Sequence, residues 1–363
     1  MSRVSPPAEA AAPVARRLRL HRGDALYFVT RGALLAVGAF VLLWVLVLAD
    51  SAFTQEPKTF IVVLLNGLTL AGLYFVVASG FTLIFGLMRV VNMAHGSLFM
   101  LAGFFALELQ KRFVDSDPTA GFGPAATGLA DWLLPLVIAA VAVAAIGIVI
   151  QQLFLRWNQG QELRQALITI AISVIIADQA VANFGGIAED ISPPDVFPDS
   201  VNLGVYDLSY PFFRIFVLLV AIAVGVGLWA AIKRTRYGMI VRAGVDDRHM
   251  VSALGINIQL VFAVAFFVGA LLAGLGGVLG GTMISVDKGN DSQYLLFALI
   301  VVIIGGMGSL GGAAIGALAL GLVDAFGDVY LPAGYTNYSV LLIFGLLVAV
   351  LAIRPLGLFG RPA

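Results

Sequence analysis

Between short polar connectors this chain returns repeatedly to apolar runs long enough to cross a bilayer, and that feature removes most folds from consideration. A hydrocarbon core takes about 20 apolar residues per helical span, and lipid satisfies no backbone polar group, so the backbone must be satisfied inside a helical bundle. The runs are Gly32–Ala49, Phe60–Leu109 (long enough for two), Leu133–Leu155, Ala166–Phe184, Phe212–Ile232, Gln259–Gly281, Leu295–Phe326 (two short helices) and Tyr338–Ile353. They predict an all-α integral membrane protein with about ten transmembrane helices. Composition agrees: 60% of the 363 residues are hydrophobic and 12% charged, against about 45–50% and about 25% in soluble domains. A net charge of zero argues against nucleic acid. With no Cys, disulfides and thiolate chemistry are excluded.

Residues 1–31 read as a basic cytosolic tail and 32–57 as an extra first span with a linker. A cleaved signal peptide fits less well, because the run is long for its type and Leu48-Ala49-Asp50 is a poor cleavage context. The core is 58–353, with a polar loop at 233–257, and 354–363 forms a cytosolic tail. With ten crossings and the N-terminus inside, sixteen of the 21 Lys and Arg are cytosolic: six in the first tail, Arg89, Arg156, Arg164, five in the polar loop, Arg354 and Arg361. That asymmetry is the positive-inside bias. The stretch 185–210, with five acids and no base, falls outside. Ten crossings divide into two oppositely oriented five-helix halves, each with a Gly-interrupted stretch, at Gly86–Ser97 and Gly305–Gly312. Paired interruptions in opposed halves point to a transporter's site.

Arg89, Asn92 and His95 recur at i, i+3 and i+6, so they share part of one face if the stretch is helical. They mark either a broken helix at the cytosolic end of a passage or a short loop whose Arg snorkels to headgroups. With three His in all, His95 reads as a satisfied structural residue rather than a metal ligand. Gly276 with Gly280, and Gly277 with Gly281, form a close-packing helix face, while Gly305, Gly306, Gly308, Gly311 and Gly312 break the later run. Asp178, Gln179 and Asn183 fall on the outer half of the fifth span and Asp324 near the outer end of the ninth, close to water. In the polar loop, Tyr237–Gly244 and Asp246–Leu254 read as short helices, and Asp246 and Asp247 suit a helix N-terminus. Ala243, Met250, Val251, Ala253, Leu254 and Ile256 are too apolar for a free connector. With the basic Arg234, Arg236 and Arg242 around them, they suit a socket on a partner. None of the four Lys follows a Gly, so the chain has no phosphate-cradling loop, and driven transport needs a separate energy-supplying subunit.

Three stretches resemble the permease subunits of ABC importers for branched-chain amino acids: Asn66–Gly103 (NGLTLAGLYFVVASGFTLIFGLMRVVNMAHGSLFMLAG), Arg234–Gly281, and Gly305–Ala317 (GGMGSLGGAAIGA). The resemblance implies pairing with a second, usually different but related permease, two cytosolic ATPases that bind the ATP, and a periplasmic binding protein, all in a bacterial inner membrane. No cofactor of the chain's own is implied. It also implies a coupling segment at Arg234–Gly255, with His249 where the family usually carries Glu. Relatives carry urea, short amides or aromatic acids, so the solute is left open at this point. A small zwitterion with an apolar side chain needs an apolar passage with a few hydrogen-bonding groups. The candidates are Asn66, Thr69, Ser79, Thr82, Asn92, His95 and Asp178. A secondary carrier or channel working without ATPases is the alternative. An intramembrane serine protease is disfavoured because Ser309 lacks a Gly two residues before it and no His follows His249.

Overall fold

Each apolar run from Phe60 onward folds as a helix or a pair of helices, since a helix meets the backbone's hydrogen-bonding needs within its own segment. The computed structural model describes residues 57–88, 91–113, 128–204, 207–246, 248–331 and 338–360, without the side chains of 245–249. In chain order the helices are α1 (Pro57–Met88), α2 (His95–Phe113), α3 (Leu129–Ile150), α4 (Glu162–Phe184), α5 (Phe212–Arg234), α6 (Arg236–Asp246), α7 (Arg248–Ala253), α8 (Ile258–Met283), α9 (Asn290–Gly305), α10 (Leu310–Tyr330) and α11 (Ser339–Ile353). A π turn (Gln151–Leu155) and a 3-10 turn (Arg156–Asn158) continue α3. An antiparallel hairpin, β1 (Ser200–Asn202) with β2 (Ser209–Pro211), pairs Val201 with Tyr210. Among the described residues, α1, α3 with its extension, α4, α5, α8 and α10 are long and apolar enough to cross a membrane, and α9 and α11 are shorter apolar helices. The expected first span, Arg89 and Asp247 lie outside the described residues.

The other helices are arranged around α1. Its 32 residues extend roughly 48 Å at about 1.5 Å each, beyond a hydrocarbon core of about 30 Å. Its glycines let a different helix come close at each level. A Cβ added at Gly67 would stand 3.2 Å from the Gly321 carbonyl oxygen of α10, one at Gly72 3.1 Å from Ala221 of α5, and one at Gly80 2.5 Å from the Gly269 oxygen of α8. Helix α2 is enclosed by α3, α4, α8 and α9 and meets α1 through His95, so its polar side chains need internal partners. Ser97 pairs with Ser173 on α4, and Gln110 exchanges hydrogen bonds of 3.0 and 3.1 Å with the Ser192 backbone. By contrast, α4 and α5 expose apolar residues such as Val174, Leu219 and Ile222, as helices facing lipid or another subunit do.

The connectors gather at two opposite faces. At one, Gln159 and Gln259 exchange side-chain amide bonds of 2.9 and 3.1 Å. On the same face the backbone N–H groups of Leu358 and Phe359 cap the Ile304 and Gly305 carbonyls of α9 at 2.8 and 3.0 Å. At the other, Glu189 bridges to Val286, Lys111 pairs with Glu189, and Trp132 donates to Thr282 at 3.2 Å. The two Gly-interrupted stretches lie side by side on the first face, where a Cβ added at Gly86 would stand 3.1 Å from Gly308 Cα.

Candidate functional site

The first face carries the polar loop, now two helices folded against the bundle. Thr235 Oγ1 accepts from the Gly238 N–H at 3.1 Å and starts α6. Gly238 lies on the carbonyls of Ala231 and Ile232, where an added Cβ would come within 2.5 and 2.2 Å, so α6 can turn back tightly from α5. Tyr237 donates to the Val261 carbonyl of α8 at 3.0 Å; burial pushes its phenol up to about 12, so it stays protonated near neutral pH. Arg242 donates to the Ile232 carbonyl at 2.6 Å, and Gly244 faces Leu87 at the end of α1. Gly255 turns the chain at φ +78°, and Asn257 then caps α8 by accepting from the N–H groups of Gln259 and Leu260.

Part of the loop's apolar surface is used internally. Val251, expected to face a partner, is buried because α7 packs on α8, and Val241 of α6 is buried likewise. The exposed apolar residues that remain are Met239, Met250 and Leu254, at 55%, 65% and 75%, with Ala243 and Ala253 beside them. Arg234, Arg236 and Arg242 are exposed around them, and the Arg234 guanidinium lies 5.4 Å from the centre of the Trp229 ring. Asp246 ends α6 instead of starting the second helix, which begins at Arg248 and contains His249. The outcome is an amphipathic pair with apolar knobs and a basic rim, held by hydrogen bonds to α5 and α8 and set against the end of α1.

Beside this face, Asn92 and His95 sit in the bend between α1 and α2, both fully buried. Asn92 Oδ1 accepts from the Ala94 N–H at 3.2 Å. His95 Nε2 donates to the Val77 carbonyl at 2.9 Å, and its ring meets Phe81 edge-on at 5.6 Å. Asn92 Nδ2 and His95 Nδ1 have no partner among the described residues; the same holds for both amide atoms of Gln151 and for Gln165 Oε1. Buried polar atoms of this kind cost free energy unless something visits them. The remaining path candidates are dispersed. Ser79 and Thr82 donate to the Val76 and Ala78 carbonyls of their own helix. Asn66 accepts from Tyr210 and Arg214, and Thr69 lies 3.1 Å from the Tyr210 hydroxyl, a network that ties α1 to β2 and α5. Asp178 is exposed on α4. Tyr74 donates to Asp324 at 2.5 Å, a pairing that no local sequence signal announces.

The α8 glycines form a seam against α1 and α2. A Cβ added at Gly276 would meet Val77 at 2.6 Å, at Gly277 the Phe99 carbonyl oxygen at 2.0 Å, and at Gly280 the Phe99 ring at 2.9 Å. Gly281 abuts Val286 and Ile191. At the later break, Gly305 and Gly312 touch backbone to backbone, whereas Gly311 faces open space. Gly306 and Gly308 turn at φ +95° and +82°, and Ser309 caps α10 by accepting from the Gly312 N–H at 3.1 Å.

Residues 63–351 match the family described as "Branched-chain amino acid transport system / permease component". The high-affinity branched-chain amino acid transport system permease protein BraD of Pseudomonas aeruginosa is 30% identical over 308 residues, covering 82% of this chain and 95% of that protein. LivH of Escherichia coli K12, with the same description, is 29% identical over 318 residues, 85% of this chain and 98% of its own. A probable LivH of Methanocaldococcus jannaschii is 22% identical over 80% of this chain. No solved structure matches. A bundle of apolar helices with an amphipathic helix pair on one face, matched over four-fifths of its length, belongs to the branched-chain amino acid transport permease family.

Proposed function

We propose that this chain is the membrane-spanning permease subunit of an ATP-driven importer and moves branched-chain (hydrophobic) amino acids inward by alternating access. It is a transport subunit and not itself an enzyme. The observation that carries the reading is the α6–α7 pair. It presents Met239, Met250 and Leu254 to a partner while Tyr237 and Arg242 bind it to α8 and α5, in a chain with no phosphate-cradling loop of its own. A cytosolic ATPase gripping the knobs pulls on α5, α8 and the end of α1 together. Two such ATPases, a second related permease and a periplasmic binding protein complete the assembly. The face with Arg156, Arg164, Arg234, Arg236, Arg242 and Arg354 is cytosolic by the positive-inside bias, in a bacterial inner membrane with both termini inside.

Helix packing supports two opposed five-helix halves. Helix α1 lies on α10 as α8 lies on α3; α2 packs on α8 as α9 does on α1; and α2 meets α3 as α9 meets α10. Of the path candidates, Asn92 and His95 keep buried polar atoms without partners among the described residues and Asp178 is exposed, so these three remain able to contact a solute. Asn66, Thr69, Ser79 and Thr82 are engaged in helix packing in this conformation. The test is reconstitution with the partner subunits in liposomes: leucine should accumulate with ATP, and this chain alone should accumulate none. Uphill leucine transport by the chain alone would refute the reading.

A further inference from the structure

The outer-face ends of α2 and α4 enclose an open groove of about 510 Å³, inside the range of roughly 300–1,000 Å³ typical of small-molecule sites. Its walls are apolar, from Leu101 and Phe105 of α2 and Ile175 and Ile176 of α4. Phe184 closes one end, stacked on Phe104 at 5.6 Å and edge-on to Phe105 at 5.8 Å. Glu108 and Arg112, one helical turn apart, stand at its rim, with Arg112 Nε donating to Glu108 Oε1 at 2.8 Å. Such a half-exposed pair adds little to stability, so the fold does not account for both charges above an apolar trough. Among the described residues Arg112 keeps four terminal N–H donors, in the planar arrangement that fits a carboxylate. Glu108 Oε2 and Asn183 Oδ1 offer acceptors, since Asn183 commits its Nδ2 to the Gln179 carbonyl at 2.7 Å.

We propose that this α2–α4 groove is an outer-side binding subsite for a free zwitterionic amino acid with an apolar side chain. Arg112 takes its carboxylate, Glu108 and Asn183 take its ammonium, and the trough takes its side chain. The assignment rests on the transport reading above, and it places a first solute contact within one subunit, on the face where a periplasmic binding protein releases its cargo.

The assembled transporter in nanodiscs is to be photolabelled with the diazirine analogue photo-leucine and the labelled peptides mapped. Label is expected in the α2 and α4 peptides and should be competed by L-leucine. Isopentylamine and 4-methylpentanoate, each lacking one charge, should compete more weakly by roughly tenfold or more, the worth of one hydrogen bond to a charged group. Glu108→Gln and Arg112→Gln should weaken L-leucine competition by a similar factor. Ile175→Trp, which fills the trough from an exposed position, should abolish the label; its elution as an intact complex checks folding. Label that L-leucine does not displace means a lipid acyl chain occupies the groove and overturns the proposal. So does label elsewhere that survives Ile175→Trp. ATP-driven leucine accumulation by the same preparation separates the two ideas. Accumulation with label elsewhere removes the subsite alone, and no accumulation removes the transport reading and the subsite with it.

Discussion

Replacing Gly277 with Ala puts a methyl carbon where the α8–α2 seam leaves no room. The added Cβ stands 2.0 Å from the Phe99 carbonyl oxygen and 2.9 Å from its carbon, far under the 3.0 Å that real Cβ atoms keep. The obstacle is backbone, so no rotamer change relieves it. Relief takes about 1 Å of separation between the helices, and a gap of roughly 0.5–1 Å forfeits about a quarter to a half of each dispersion contact across it. Overpacking of well-packed interiors costs about 1–3 kcal/mol, and a backbone clash belongs at the upper end. About 3 kcal/mol is roughly a hundredfold in the folded-to-unfolded ratio and, at roughly 2–4 °C per kcal/mol, a fall in Tm of about 6–12 °C. Thermal scans of detergent-solubilised protein followed by size-exclusion fluorescence read this directly. Two companions calibrate it. Gly276→Ala meets side chains alone, the Val77 methyl at 2.6 Å and the Phe99 ring at 3.5 Å, and should lose less, while Gly227→Ala on α5 meets nothing within 4 Å and should lose nothing. If Gly277→Ala melts with Gly227→Ala, the tight seam is wrong.

Tyr237→Phe keeps the ring but removes the hydroxyl's bond to the Val261 carbonyl. It should cost about 1 kcal/mol in thermal stability and reduce ATPase stimulation by the substrate-loaded binding protein. Gly255→Ala meets no neighbour but must hold φ near +78°. It should therefore lose about 1–2 kcal/mol by the same melting assay, with Gly255→Asn losing less because Asn tolerates that conformation. Met239→Asp with Leu254→Asp changes exposed positions and should leave Tm unchanged while ATPase subunits no longer co-purify. A double-mutant cycle on Gln159 and Gln259, each to Ala, should show coupling, with the double mutant little worse than either single one.

Apolar length alone made the helices from Phe60 onward legible; of the glycines in the polar loop only Gly255 ends the short pair, while Gly238 and Gly244, which read from the sequence as breaks, lie inside α6. What the sequence hid depends on contacts between distant segments. Ile191 and Ile187 look alike in the acidic stretch, yet Ile191 is buried against Gly281 and Ile187 is 79% exposed. The docking of that stretch on Gln110, Gly281 and Val286 distinguishes them. Val251 read as a partner-facing knob because its composition matches that of Met250, while the turn of α7 onto α8 decides which of them is covered. The meeting of the two Gly breaks at Gly86 and Gly308 is a property of the assembled bundle. The Glu108–Arg112 spacing is visible in the sequence, but the trough beneath it exists only once α4 lies against α2.

Helix α9 ends in carbonyls whose partners arrive late. Ile304 and Gly305 are capped by the N–H groups of Leu358 and Phe359, 54 residues further along the chain. At about 5–20 residues per second of synthesis, those partners emerge roughly 3 to 10 s after the groups they serve. During that interval water or the insertion machinery has to hold the end of α9, so a ribosome that stalls after α10 leaves a nascent chain with an open carbonyl end for the cell's proteases to find.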